Sequence, residues 1–421
     1  MKVLVIGGGG REHAIIRALR KNSRVDTIYA APGNGGISFD ARCINIKADN
    51  VKEIVNFALA NKIDYTAVIP DNPLALGMVD ALEEKGIRCF GPRQAAARIE
   101  SSKVFAKNLM KKYGIPTAAY ETFNDAEKAC DYINSNSASL PIVIKADGLA
   151  LGKGVIIALS RSEALDAVNS IMRKKIFGDS GSSVVIEEYL TGPEVSVLAL
   201  TDGKTIRSLV SSMDHKRAFD NNLGPNTGGM GAIAPNPYYT PDIEKQCEET
   251  IFYPTIKAME QENCPFKGCL YFGLMLTGRG PVVIEYNCRF GDPETQAVLP
   301  LLGSDLFELM EAVTDGTLHT KSIILENACS SCVVLASGGY PASYKTGYAI
   351  SGLDEKGRVK NAGVFHAGTT FKDGIFYTSG GRVLGVTATA PALKEALNAS
   401  YKAVEKIHFE DMHFRKDIGL T

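Results

Sequence analysis

The chain contains no tryptophan, an odd and thinly spread complement of nine cysteines, and almost no net charge, −1 at pH 7. Each shortage excludes something. A balanced charge supplies no general basic field, which argues against a DNA or RNA binder. Nine scattered cysteines do not make a disulfide scaffold. Their only close pair, Cys329 and Cys332 in "ACSSCVVLA", runs straight into a β-branched apolar stretch and reads as core cysteines, although the spacing also suits a redox pair. No run of 18 apolar residues occurs, and the apolar part of "MKVLVIGGGG" is too short for a secretory signal. The expectation is a cytoplasmic protein without membrane or nucleic-acid partners.

What is abundant is glycine, 41 in 421 residues, in a chain 45% hydrophobic and 22% charged. Its length exceeds what one hydrophobic core usually serves, so several domains are expected. Residues 1–102 alternate β-branched runs with amphipathic stretches ("KVLVI", "EHAIIRALRKN", "TIYAA", "VKEIVNFALANK", "YTAVIP"), the rhythm of a Rossmann-like α/β domain with a parallel sheet. From 103 to 325 strand-like runs follow one another closely, which predicts an α+β domain with antiparallel sheets. Residues 326–421 read as a small β-rich C-terminal domain ending in one helix. There is no internal repeat.

Two glycine loops stand out. "VLVIGGGGREH" is a strand, four glycines and a helix, where backbone amides and the helix dipole favour a phosphate. A dinucleotide fingerprint needs a third glycine where this chain has Glu12 or His13, and an acid after the second strand where it has "APGN". A dehydrogenase is therefore disfavoured. "GGGGRE", "PGN" and "PDNPL" all fall at carboxyl ends of strands and could share one crevice, with Arg11 for a phosphate and Asp71 for hydroxyls or an amine. The second loop, "PIVIKADGLALGKGVIIALS", contains Gly-Lys but leads into Val-Ile-Ile, so it is a strand, a loop and a strand rather than a P-loop. Lys145 and Lys153 would neutralise a triphosphate under such a lid. Glu187, the backbone of Glu188, Tyr189 and Leu190, and Glu194 suit a base edge and a ribose diol.

The richest stretch is "VVIEYNCRFGDPETQ", residues 282–296. Glu285 and Asn287, two apart on a strand, share a face and offer the hard oxygen ligands that magnesium selects. Arg289 projects to the same face and could hold an anion bidentately.

Taken in order, "GGGGREHA", "APGN", "IKADGLALGKGV", "IEEYLTGPEVS", "DHKR", "GPNTGGMGA", "LYFGLM" and "EYNCRFGDPETQ", down to "FRKDIG", closely resemble the glycinamide ribonucleotide synthetase (phosphoribosylamine–glycine ligase) family of ATP-grasp enzymes. The resemblance implies a central ATP-grasp fold with a glycine-rich lid at about 121–190. It implies ligation of glycine to 5-phosphoribosylamine with ATP in purine biosynthesis, through glycyl phosphate, by a monomer or weak dimer using Mg²⁺ or Mn²⁺. It would put Glu285 and Asn287 on the metal. Lys103, Lys145, Gly148, Gly152, Lys153 and Gly154 would lie along the ATP phosphates, and Glu187, Glu188, Tyr189, Leu190 and Glu194 around adenosine. Arg289, Lys216, His215 and Asp214 would form the catalytic group, with His215 positioning rather than shuttling a proton. Gly8, Gly9, Gly10, Arg11, Glu12, Gly33, Asn34 and Asp71 would hold the amine substrate. Asn226, Thr227, Gly228, Gly229, Asp292, Pro293 and Glu294 would surround the acyl phosphate. The chain departs from the family pattern at Ile37, Asp71, Leu151 and "FDNNLGPN". A different ATP-grasp ligase and a nucleotide-binding regulator without turnover are the remaining alternatives.

Overall fold

The computed structural model describes residues 1–135, 139–149 and 154–420. Its first sheet has five parallel strands in the spatial order Arg42–Cys43, Thr27–Pro32, Lys2–Gly7, Tyr65–Val68 and Arg88–Phe90. The central strand is a continuous apolar run because neither of its faces meets water: Val3, Leu4, Val5 and Ile6 are fully buried. The predicted α/β rhythm is found here.

Next come two antiparallel four-stranded sheets. One has the order Tyr120–Phe123, Val184–Glu188, Ile142–Ala146, Val155–Ala158. The other has the order Ile206–Ser208, Glu194–Thr201, Gly268–Thr277, Gly280–Asn287. The helix Lys103–Tyr113 leads into them, started by Ser102, whose hydroxyl accepts from the Phe105 amide, and stopped by Gly114 at φ 67°. In the last strand pair the register slips. Gly273 opposes Glu285 while Leu274 opposes Val283, so Ile284 is an extra, bulged residue. A bulge re-aims the strand, and here it leaves the Ile284 carbonyl free to accept from Lys145 Nζ at 3.1 Å.

The C-terminal sheet differs from a simple reading of consecutive blocks. Its strands Cys329–Ser337, Arg382–Ala390 and Gly363–His366 are extended by Gly231–Ala234 and Met213–Asp214 from the middle of the chain. The Gly231–Ala234 segment is buried throughout, and at Gly231, where a Cβ would meet the Cys332 carbonyl oxygen at 2.7 Å, the lack of a side chain lets the strands approach, which local periodicity does not reveal. Cys332 is fully buried in this sheet, its thiol pushed up to about 12 by burial, as expected of a core cysteine.

A buried polar cluster ties the first sheet to the C-terminal one. His13 Nε2 lies 3.0 Å from Asp40 Oδ2, and His13 Nδ1 accepts the His366 amide at 2.9 Å. Arg17 and Arg358 also reach Asp40. Burial, outweighing Asp40, lowers His13 to about 4; burial lowers His366 to about 3, and His215 elsewhere to about 4.

For all three histidines the folded value lies below the ordinary one, so the unfolded chain binds the proton more readily. Their stabilisation is complete above about pH 6.5 and is lost as pH falls through about 4, by about 3 kcal/mol for His13 alone. Denaturant unfolding at pH 7 and pH 4.5 should therefore show a markedly lower midpoint in acid; an unchanged midpoint would contradict the buried neutral state.

Candidate active site

Side chains from both four-stranded sheets and from the C-terminal sheet, joined by Arg11 and Asp71 of the first domain, line one cleft of about 1230 Å³. At its centre Glu285 leaves the bulged strand. Burial would raise its carboxyl pKa, but Lys216, Lys145, Lys103 and Arg289 outweigh burial and hold it below the ordinary value. Lys216 Nζ is 3.0 Å from Glu194 and 3.8 Å from Glu285 Oε1, a bridge between two strands. Asn287 points into the same cleft and accepts from Arg289 Nη2 at 3.0 Å. The other partner of that guanidinium nitrogen is Glu100 Oε1, at 3.0 Å, while Glu100 Oε2 accepts the Cys288 amide at 2.8 Å. Glu100 thus fixes both the strand exit and Arg289, whose buried Nε has no partner among the described residues.

Lys103 and Lys107 lie one turn apart on their helix and so face the same side. Lys107 and Lys145 both lie 3.0 Å from Glu187 Oε2, all three buried, and Glu187 Oε1 has no partner among the described residues. Burial, only partly offset by Glu187, lowers Lys107 to about 8. Lys103 Nζ donates to the Gly148 carbonyl at 2.8 Å, reaching the start of the glycine loop. Glu188, Tyr189, Leu190 and Gly154 line the cleft, and Arg279 Nη2 donates to both Glu188 carboxylate oxygens, at 2.9 and 3.0 Å. Gly152 and Lys153 lie outside the described residues.

On the opposite wall, strand alternation sends Asp214 and Lys216 to one side and the His215 ring nitrogens to the other. His215 also lines the cleft, but its Nδ1 is 3.3 Å from the Gly231 carbonyl and its Nε2 accepts the Gly419 amide at 2.9 Å, so both ring nitrogens are engaged by the backbone and the ring is neutral. Asp214 Oδ1 is buried without a partner among the described residues; burial and the Glu294 carboxylate push its pKa well up. Asn226, Thr227 and Gly228 line the cleft. The Gly228 amide already donates to Tyr340 Oη at 3.0 Å, and the Gly229 amide to Thr227 Oγ1 at 2.9 Å. Arg382, from the C-terminal sheet, donates to the carbonyls of Gly228 at 2.6 Å and Asp292 at 2.7 Å. Burial would raise the Asp292 carboxyl, but Arg382 and Arg11 hold it down. Glu294 is buried beside Ser196, 3.5 Å away, and that hydroxyl also meets Tyr271 Oη at 2.7 Å. Pro293 packs against Gly229.

In the first domain Arg11 and Asp71 reach the cleft, whereas Gly8, Gly9, Gly10, Glu12, Gly33 and Asn34 do not line it. Glu12 is the reason the dinucleotide pattern fails: its carboxylate takes the Gly9 amide at 2.6 Å and Arg11 Nε at 2.7 Å, so an internal acid occupies the helix start. Asn34 ties loops together, donating to the carbonyls of Gly8 at 2.9 Å and His366 at 2.6 Å.

Sequence reasoning missed Lys107, Glu100 and Arg382. The spacing of Lys107 from Lys103 was a usable signal; Glu100 and Arg382 come from distant elements and had none.

Glu285 and Asn287 fit a divalent ion by donor chemistry, a carboxylate held ionised beside an amide oxygen on one cleft wall. Among the described residues no cluster of three or more His, Cys, Asp or Glu could hold a metal ion. Such a pair suits an ion that takes its remaining ligands from substrate phosphates and water.

Comparison with known proteins gives a consistent result. The models "Phosphoribosylglycinamide synthetase, N domain", "ATP-grasp (A) domain" and "C domain" match residues 1–100, 101–295 and 330–421. The phosphoribosylamine–glycine ligase of Caldanaerobacter subterraneus subsp. tengcongensis is 48% identical over 100% of this chain and 99% of its own. The crystal structure of the Thermotoga maritima phosphoribosylamine–glycine ligase superposes with a TM-score of 0.87 at 34% identity, covering 99% of this chain and 100% of the other. A biotin carboxylase domain from Hydrogenobacter thermophilus, solved with MgADP and bicarbonate, shares the fold, with a TM-score of 0.75 at 18% identity over 98% and 91% of the two chains.

One position tests the packing of this wall. Gly229 has φ +110°, and a Cβ there would meet Pro293 Cδ at 2.3 Å and Asp214 Oδ1 at 2.6 Å. Gly229→Ala should cost about 1–3 kcal/mol and lower turnover. Gly278→Ala, where a Cβ meets nothing within 4 Å, should leave melting temperature and activity near those of the parent.

Proposed function

The chain belongs to the phosphoribosylglycinamide synthetase family, and on that footing we propose that its cleft joins glycine to 5-phosphoribosylamine while ATP becomes ADP and phosphate. The observation that carries this reading is the convergence of Lys103, Lys145, Lys216 and Arg289 on Glu285, beside Asn287, at the bottom of a cleft that reaches Arg11 and Asp71.

Glycine's carboxylate is a poor electrophile. In the first step one of its oxygens attacks the terminal phosphorus of ATP; the bond to the bridging oxygen breaks and ADP leaves. Lys103 and Lys145 offset charge on the phosphates, while Arg289, its geometry set by Glu100, steadies the migrating phosphoryl or the glycine carboxylate. A divalent ion held by Glu285 and Asn287, magnesium or manganese, would supply charge neutralisation at the phosphates. In the second step the amine of phosphoribosylamine attacks the acyl carbon, an oxyanion forms, and phosphate departs with the oxygen that came from glycine. Lys216 lies where it could offset that charge. Asp214 and Glu294 oppose each other's charge on this wall, and the pair has room for the one proton that the amine loses.

We assign the amine substrate to 1–102, nucleotide and glycine to 103–325 with a lid at about 121–190, and a supporting role to 326–421. On the nucleotide side Glu187 Oε1, without a partner among the described residues, is available to an amino group of the base, and Glu194 to the ribose. The first-domain phosphate contact falls chiefly to Arg11, because Glu12 already takes an amide of the glycine loop. Among the described residues no helix is long and apolar enough to cross a membrane, and we propose a cytoplasmic monomer or weak dimer.

ADP release from purified protein should require ATP, a divalent ion, glycine and phosphoribosylamine together, each omitted in turn; turnover indifferent to glycine would reject the reading. Glu285→Gln and Asn287→Ala should each lower turnover by about 10²-fold or more with little change in melting temperature. Parallel loss of both would make these residues structural only.

A further inference from the structure

The segment His413–Gly419 contains a costly feature that lies outside the cleft. Arg415 is fully buried, and its guanidinium makes a bidentate pair with Asp417, Nε to Oδ1 at 2.7 Å and Nη2 to Oδ2 at 2.8 Å. Neither residue lines the cleft. Burying the guanidinium is no efficient route to stability, because its desolvation offsets most of the attraction to the partly buried Asp417. Its geometry has another use.

The third guanidinium nitrogen, Nη1, donates to the Arg217 carbonyl at 3.2 Å, and Asp417 Oδ2 also accepts the Asn221 amide at 2.8 Å. These contacts hold both ends of the hairpin formed by Arg217–Phe219 and Leu223–Asn226. One residue before that hairpin stands Lys216, bridging Glu194 and Glu285. On its other side the Gly419 amide donates to His215 Nε2 at 2.9 Å, which fixes the ring as the tautomer with its proton on Nδ1. His215 is thereby anchored, and Asp214 and Lys216, its neighbours on either side, are directed at the cleft.

We propose that Arg415 and Asp417 are positioning residues for the ligation: through the Arg217–Asn226 hairpin and His215 they set Asp214 and Lys216 against the acid-bearing strand. The proposal rests on the ligase reading above. The nucleotide contacts of Lys103, Lys145 and Glu187 stand on other elements, beyond the reach of the brace; only Glu194, through Lys216, connects the two.

The test uses the full-length protein, with two variants. Asp417→Asn keeps size and an acceptor; Arg415→Met combined with Asp417→Asn removes both charges of the pair while keeping volume. Each is measured for kcat of glycine-dependent ADP release, for ADP Kd by equilibrium dialysis, and for melting temperature. The expected result is a kcat lowered about 10- to 100-fold, as a small misplacement of a reacting group produces, with ADP Kd within about twofold of the parent. A variant with the parent's kcat overturns the brace, as does one whose ADP affinity falls by the same factor as kcat. Should the paired variant fail to fold, Asp417→Asn is judged by the same two outcomes. A parent protein without glycine-dependent ADP release overturns the proposed function and the brace with it; an active parent with insensitive variants overturns the brace alone.

Discussion

Four cationic side chains converge on one carboxylate, and the active-site architecture follows from keeping them there. Glu285 is held ionised by Lys216, Lys145, Lys103 and Arg289, although burial opposes it. Each cation is in turn held by something else. Lys216 is set by Glu194, Lys145 by Glu187 and the bulged Ile284 carbonyl, Lys103 by the Gly148 carbonyl, and Arg289 by Glu100. A set of charges oriented in advance need not reorganise when phosphate charge develops, and that is the condition under which such groups accelerate a reaction most.

The anchors come from every part of the chain, which explains why the domains interlock. Glu100 arrives from the helix Gln94–Ser101, and Arg382 from a strand 154 residues after Gly228 and 90 after Asp292. The glycine-rich wall itself is stitched into the C-terminal sheet through Gly231–Ala234. A block-by-block view of 103–325 and 326–421 hides this pairing. Local periodicity reports which face of an element is apolar; it carries no information about which distant strand will cover it.

Much of the rest was legible. The parallel first sheet follows from its β-branched runs alternating with amphipathic helices, and the common face of Glu285 and Asn287 from the two-residue period of a strand. Glu12 could have been read as a helix cap from its place three residues after Gly9. Other features were closed to such reasoning. The bulge at Ile284 depends on register against Gly268–Thr277, and the engagement of the Gly228 and Gly229 amides by Tyr340 and Thr227 depends on how the turn folds. His215 looked like a group that could face substrate, yet its ring nitrogens serve the Gly231 carbonyl and the Gly419 amide.

What unites these details is a claim about one oxygen atom. If the cations gathered at Glu285 promote transfer of a phosphoryl group onto glycine, a carboxylate oxygen of glycine must leave with the inorganic phosphate. Glycine carrying heavy oxygen in its carboxylate, turned over with unlabelled ATP and phosphoribosylamine, should give phosphate bearing one heavy atom per turnover, read by mass spectrometry. Phosphate free of label, with the ligated product still formed, would contradict the account.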